Sequence, residues 1–147
     1  MKASDFLSPE ERHLVEQAIA GSELHTSAEI RVHLETSYSG DILDRAATVF
    51  ARLNMHRTRL RNGVLIFLGI ENKKFAIIGD IGINRLVPEN FWNNTRTIME
   101  SHFRNSEFGK GLAEGVRLAG EVLGIHFPHQ QDDRNELSNE ISFDSSE

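Results

Sequence analysis

The chain contains no cysteine, only three prolines, and a single tryptophan and a single tyrosine. Without cysteine it can form neither disulfides nor thiolate nucleophiles nor zinc–thiolate sites. It also lacks any apolar run of about 18 residues, so no membrane-spanning helix is predicted. The first residues include Asp5, Glu10 and Glu11, where a secretory signal requires an uninterrupted apolar stretch. We therefore expect a cytoplasmic protein with no membrane segment.

Charge is distributed unevenly along the chain. The 147 residues include 16 basic and 22 acidic side chains, for a net charge of −6. From Pro128 onward the sequence is acidic and has no hydrophobic periodicity, which predicts a disordered tail over residues 128–147. Residues 1–127 are then close to neutral and form one domain of ordinary size. A near-neutral body argues against a nucleic-acid partner, which requires a basic face, and we expect a monomer.

Capping signals and hydrophobic periodicity predict four helices. The first begins after Ser8, and the second runs from Asp41 to about Asn54. The third begins at Pro88–Glu89, and the fourth runs from about Gly109 to Gly124. Ser8 is an N-cap serine, Pro9 occupies the first helical position, and Glu11 completes a capping box. In the last helix Gly111 and Gly115 are one turn apart, and this spacing predicts close packing against another element.

Three segments have strand patterns. Residues Ser27–Glu35 alternate apolar and polar positions, whereas Val64–Leu68 and Phe75–Ile78 are continuous apolar runs typical of buried strands. The short polar turn between the two runs predicts an antiparallel hairpin. The strand–helix–strand segment from Ser27 to Leu68 predicts a parallel pair with a right-handed crossover. Together these patterns predict an α/β fold with a small mixed sheet.

The predicted strand directions bring several polar side chains to one edge of this sheet. Glu29 lies at the start of the first strand, Asn62 just before the second, and Asp80 just after the third. Carboxylate and amide oxygens suit a hard cation, so we predict a Ca²⁺ or Mg²⁺ site formed by Glu29, Asn62 and Asp80. Glu107, just before the last helix, would join these ligands if its loop folds over the same edge.

Each of these residues also has a purely structural interpretation. Asp80, in Gly-Asp-Ile-Gly, is typical of a turn or a helix cap, and Glu29 could pair with a neighbouring basic residue. Asn62-Gly63 is a common turn dipeptide. The basic connector Arg52–Arg61 is either a solvated loop or a surface for an anionic partner.

Two longer segments resemble a known family. They are RNGVLIFLGIENKKFAIIGDIGINRLVPENFW and FRNSEFGKGLAEGVRLAGEVL. They are similar to the TPM domain, particularly its short stand-alone bacterial form, and the likeness extends over about Ser8 to Phe127. The resemblance implies a three-layer α/β/α sandwich with helices on both sides of the sheet. It also implies calcium binding or acid phosphatase activity, since both occur among members. Many members carry aspartate at the position of Asn62, and many have an export signal and a membrane helix that this sequence lacks.

Three functions follow from these observations. The first is a divalent-cation-binding, non-catalytic domain that recognises another protein, whose identity the sequence does not specify. The second is a metal-assisted phosphatase in which a bound cation polarises a phosphoryl oxygen, with Asp80 or Glu29 as the base. The third is an interaction module that uses no metal and binds through the basic connector or the acidic tail. No catalytic nucleophile is assigned.

Overall fold

A computed structural model describes residues 1–130 and 136–144. The helices are α1 (Ala3–Phe6), α2 (Pro9–Ser22), α3 (Ile42–Arg52), α4 (Ile81–Asn84), α5 (Asn93–Arg104) and α6 (Phe108–His126), and Met55–Arg57 forms one 3₁₀ turn. The strands are β1 (Glu29–Glu35), β2 (Gly63–Gly69), β3 (Lys74–Gly79) and β4 (Ser142–Phe143). None of the described helices is both long enough and apolar enough to span a bilayer.

The four strands form one mixed sheet in the order β3-β2-β1-β4. β1 and β2 are parallel, with Glu29 opposite Gly63, and β2 and β3 are antiparallel, with Val64 opposite Gly79. This arrangement confirms the predicted hairpin and the predicted parallel pair. It also places the start of β1, the start of β2 and the end of β3 at one end of the sheet, which we call the strand-end rim.

Helices cover the sheet on both faces, as the three-layer expectation requires. On one face Val64 and Ile66 of β2 join a core with side chains of α2, α5 and α6. On the other face Leu65 and Phe67 pack with Ala46 of α3 in a second, smaller core. β2 is buried along its whole length because consecutive strand residues point to opposite faces and both faces are covered.

The predicted helix starts are confirmed at three places and wrong at one; the third confirmed start is that of α6, at Phe108 beside the predicted Gly109. Ser8 caps α2 and Glu11 returns a hydrogen bond to the Ser8 N–H at 3.0 Å, forming the predicted capping box. Asp41 caps α3. The third long helix, predicted from Pro88, begins only at Asn93, because residues 88–92 form turns instead.

The glycines of α6 allow the close helix packing that their spacing predicts. A Cβ on Gly111 would lie 2.6 Å from a ring carbon of Phe103, and one on Gly115 would lie 2.5 Å from the sulfur of Met99. Both neighbours belong to α5. The glycine spacing therefore fixes how closely α6 and α5 approach.

The described part of the C-terminal segment differs from the predicted disordered tail. Residues 136–144 lie against the domain, Ile141 is buried, and β4 extends the sheet beside β1 with Ser142 opposite His33. The prediction is therefore wrong for these nine residues. They are held by hydrogen bonds and single apolar contacts, which leave no periodic pattern in the sequence. Residues 131–135 and 145–147 lie outside the described part, so the prediction stays untested there.

Candidate functional site

Main-chain hydrogen bonds hold three of the four predicted ligand residues at the strand-end rim. The Glu29 N–H donates to the Asn62 carbonyl at 3.3 Å, and the Asp80 N–H donates to the Gly63 carbonyl at 2.9 Å. Glu29, Asn62 and Asp80 are all buried, each less than a tenth exposed. The convergence predicted from strand direction is therefore present in the backbone.

Glu29 is a buried carboxylate that is only half satisfied. Its Oε1 accepts hydrogen bonds from the backbone N–H groups of Glu136 and Leu137, the latter at 2.8 Å. Its Oε2 is buried and has no hydrogen-bond partner among residues 1–130 and 136–144. Burial raises the pKa of Glu29 to about 7; the two backbone hydrogen bonds oppose this shift, and the nearby charges of Glu136 and Glu23 add to it.

Asn62 has a similarly incomplete set of partners. Its backbone N–H donates to the Thr58 hydroxyl at 3.3 Å, but its side-chain Nδ2 is buried and finds no partner among the described residues. An unpaired buried amide nitrogen costs free energy, so a ligand or water that satisfied it would be stabilising. Rotating the amide by 180° exchanges nitrogen and oxygen, which would present an oxygen ligand instead.

Asp80 is already engaged by an arginine. Arg61 donates from Nε to Oδ2 at 2.7 Å and from Nη2 to Oδ1 at 2.9 Å. Asp80 also caps α4 by accepting the Ile81 N–H at 2.7 Å. Burial alone would raise the pKa of Asp80, but these hydrogen bonds outweigh it and hold that pKa below its usual value. The structural interpretation of Asp80 as a helix cap is thus the arrangement observed.

Glu107 does not join the other three residues. It precedes α6, where its carboxylate pairs with His102 at 3.1 Å and with Lys110 at 3.7 Å. The adjacent Phe108 lies beside Phe103, which in turn contacts Phe75 near the start of β3. Because the start of β3 is opposite to its end, Glu107 lies at the end of the sheet away from the rim.

The carboxylates of the rim do not form a complete ligand cluster. Within residues 1–130 and 136–144, no group of three His, Cys, Asp or Glu side chains is placed to hold a metal ion. A cation at the rim would therefore depend on Glu29 together with amide, main-chain or water oxygens. Asp80 could contribute only if Arg61, whose side chain is about half exposed, moved away.

A second polar network on β1 was missed at the sequence level. His33 Nδ1 lies 2.8 Å from the Ser142 hydroxyl, and His33 Nε2 lies 2.8 Å from Oε1 of Glu35. The other carboxylate oxygen of Glu35 binds Arg45 of α3. Burial lowers the pKa of His33, although the contacts with Glu35 oppose the shift. The network links β1 to α3 and to β4.

The signal for this network was the alternation of β1. Its polar positions, Glu29, Arg31, His33 and Glu35, share one strand face. The structure buries three of these side chains, Glu29, His33 and Glu35, and leaves Arg31 partly exposed. A buried polar group is expected to find a partner inside the protein, as His33 and Glu35 do.

Comparisons with known proteins agree with this architecture. The family model described as the TPM domain matches residues 1–122. The solution structure of the BA42 protein from the psychrophilic bacterium Bizionia argentinensis is similar, with 44% identity and a TM-score of 0.92. That alignment covers 97% of this chain and 99% of BA42. None of the curated proteins matches the chain.

Two more distant solution structures share the fold. The N-terminal domain of a P. gingivalis protein has 19% identity and a TM-score of 0.71, with 89% of this chain and 85% of that domain covered. The N-terminal domain of the cg2496 protein from Corynebacterium glutamicum has 12% identity and a TM-score of 0.60, with 92% and 79% covered. At these identities the likeness shows the fold alone.

Proposed function

The chain belongs to the TPM domain family, and from that premise we propose that it is a non-catalytic accessory module that binds a divalent cation at the strand-end rim and recognises a protein partner. Glu29 is the proposed anchoring ligand. The observation that carries this proposal is its buried Oε2, which has no hydrogen-bond partner in the part of the chain that the structure describes. A cation would supply the missing interaction and offset the cost of burying the carboxylate.

The surroundings of Glu29 favour a hard cation over a softer metal. Asn62 adds an amide oxygen when its side-chain amide is rotated, and water completes the coordination. All of these are oxygen ligands, as calcium and magnesium prefer. Because the pKa of Glu29 is raised to about 7, a proton competes with the cation, and cation affinity increases as pH rises through that value.

Cation binding would also affect the C-terminal segment at residues 136–144. The amides of Glu136 and Leu137 donate to the same carboxylate that is proposed to bind the cation. Charge withdrawn from Glu29 by the cation weakens these two bonds. The segment at residues 136–144 is therefore the element most directly coupled to occupancy, and a partner that binds there would respond to the cation.

The test is a calcium titration followed by ¹H–¹⁵N spectra at pH 8. Saturable shifts are expected at the amides of Glu29, Asn62, Glu136 and Leu137. They should disappear in Glu29→Gln and persist in Glu107→Gln, a matched substitution at the other end of the sheet. Shifts that survive in Glu29→Gln, or no saturable shifts at all, would overturn the proposal.

The same variants distinguish a metal-assisted phosphatase from the proposed non-catalytic module. Hydrolysis of p-nitrophenyl phosphate that requires the cation and is lost in Glu29→Gln would show a catalytic centre rather than a binding module. Asp80→Asn then tests the second candidate base. For an accessory module we expect no turnover above that of the buffer.

A further inference from the structure

Four phenylalanine rings form a continuous row at the end of the sheet opposite to the rim. Phe75 and Phe103 meet edge to face at 5.1 Å between centroids, Phe103 and Phe108 stack at 5.6 Å, and Phe108 and Phe6 meet edge to face at 4.9 Å. All four are partly buried and pack against the main core, so part of each ring is left at the surface. A contiguous apolar surface marks a binding site more often than scattered apolar residues do.

These rings line a cleft of about 690 Å³. Its other apolar walls are Leu68 and Ile70 from the hairpin between β2 and β3, and its remaining sides come from the end of α5 and the start of α6. Small-molecule sites are typically clefts of roughly 300–1,000 Å³ with mainly apolar walls and a few polar groups. The size and lining of this aromatic cleft are of that kind.

Charged side chains of both signs line the aromatic cleft, three basic and two acidic. Lys73 comes from the hairpin turn, Lys74 from the start of β3 and Arg104 from the end of α5, and the two acidic residues are Glu71 and Glu100. Arg104 pairs with Glu100 at 3.6 Å. Neither lysine forms a salt bridge with any residue in the described ranges 1–130 and 136–144. With Glu100 paired to Arg104, the charges left in the lining are the two lysines and Glu71, so the cleft has a net positive charge in a chain whose net charge is −6.

We propose that the aromatic cleft is a second ligand site, which binds a small aromatic monocarboxylate. The ring system of the ligand extends the row of aromatic contacts formed by Phe75, Phe103 and Phe108. Its carboxylate lies at the opening, between Lys73 and Lys74. Exposed lysines make modest individual contributions, so orientation comes from the pair and most of the affinity from ring burial. This site is independent of the proposed cation site, since the two lie at opposite ends of the sheet.

The experiment compares 2-naphthoate with 2-naphthamide, two probes of nearly equal shape that differ in charge. Each is titrated into the ¹⁵N-labelled full chain at pH 7.5 with the divalent cation chelated. Naphthoate is expected to shift the amides of residues 70–75 and 103–108 saturably and to bind several-fold more tightly than naphthamide. The double substitution Lys73→Gln and Lys74→Gln should weaken naphthoate by about threefold to tenfold and leave naphthamide unchanged.

Two controls make the result decisive. Lys110→Gln removes an exposed lysine of α6 that lies outside the cleft, and it should leave both affinities unchanged. Decanoate supplies the same carboxylate on an aliphatic chain and should bind more weakly than naphthoate. The proposal is overturned if the cleft amides do not shift, if the charged and neutral probes bind equally in the wild type, or if decanoate matches naphthoate.

Discussion

The folded protein should lose stability as pH rises from 4.5 to about 7, and replacing Glu29 by glutamine should abolish most of this loss. In the folded state burial raises the pKa of Glu29 from 4.5 to about 7. A displacement of this size corresponds to about 3 kcal/mol in the free energy of unfolding. Glutamine keeps the Oε1 acceptor for the backbone N–H groups of Glu136 and Leu137 but cannot ionise. The substitution therefore isolates the cost of the buried charge.

The sign follows from proton binding in the two states. Between pH 4.5 and about 7 the folded protein holds a proton on Glu29 that the unfolded chain has released. The folded state binds more protons there, so its stability falls as pH rises. The full contribution of the neutral Glu29 side chain to stability is present below pH 4.5 and is lost once pH passes about 7. His33 acts in the opposite sense, because its lowered pKa costs stability as pH falls below 6.5.

The assay is urea denaturation from pH 4.5 to 8, followed by the fluorescence of Trp92. This residue is the only tryptophan, and it is 7% exposed in the folded state. The difference between wild type and Glu29→Gln cancels the contribution of His33. Relative to the wild type, the free energy of unfolding of the variant should increase by about 3 kcal/mol from pH 4.5 to pH 8. A difference that stays constant with pH would refute the assignment of a buried, half-satisfied carboxylate.

Three further predictions concern the rim and the C-terminal segment, and each is tested by urea denaturation of the named variants. Gly82→Ala should destabilise the fold by about 2–3 kcal/mol, since its Cβ would lie 2.4 Å from the Leu60 carbonyl oxygen. Its control is Gly21→Ala, whose Cβ would have nothing within 4 Å and which should stabilise α2 by up to about 1 kcal/mol. Equal effects of the two substitutions would contradict the close approach at Gly82. Asp80→Ala removes the N-cap of α4 and should cost about 1 kcal/mol, and Asp80→Asn, which keeps a capping oxygen, should restore part of this. Ile141→Ala should cost about 2 kcal/mol if residues 136–144 are docked, and a silent substitution would support the disordered tail instead.

The sequence by itself determined the main elements of the fold. The capping box at Ser8, the alternation in β1 and the unbroken apolar run in β2 are local signals, because each reflects how a single element buries its own side chains. Strand direction was then enough to bring Glu29, Asn62 and Asp80 to one end of the sheet. The glycine spacing in α6 also predicted close packing against another element, which the structure identifies as α5. Local pattern and simple topology thus established the backbone of the candidate site.

Only the tertiary structure decided what those side chains do. Arg61 lies in a connector whose sequence does not reveal that its guanidinium folds back onto Asp80. Glu107 was expected to join the rim only if its loop folded over it, and the path of a loop is not encoded in periodicity. Residues 136–144 carry no strand or helix pattern, yet they supply the two N–H groups that bind Glu29. The burial that raises the pKa of Glu29 depends on elements distant in sequence, so it could not be derived from composition or spacing.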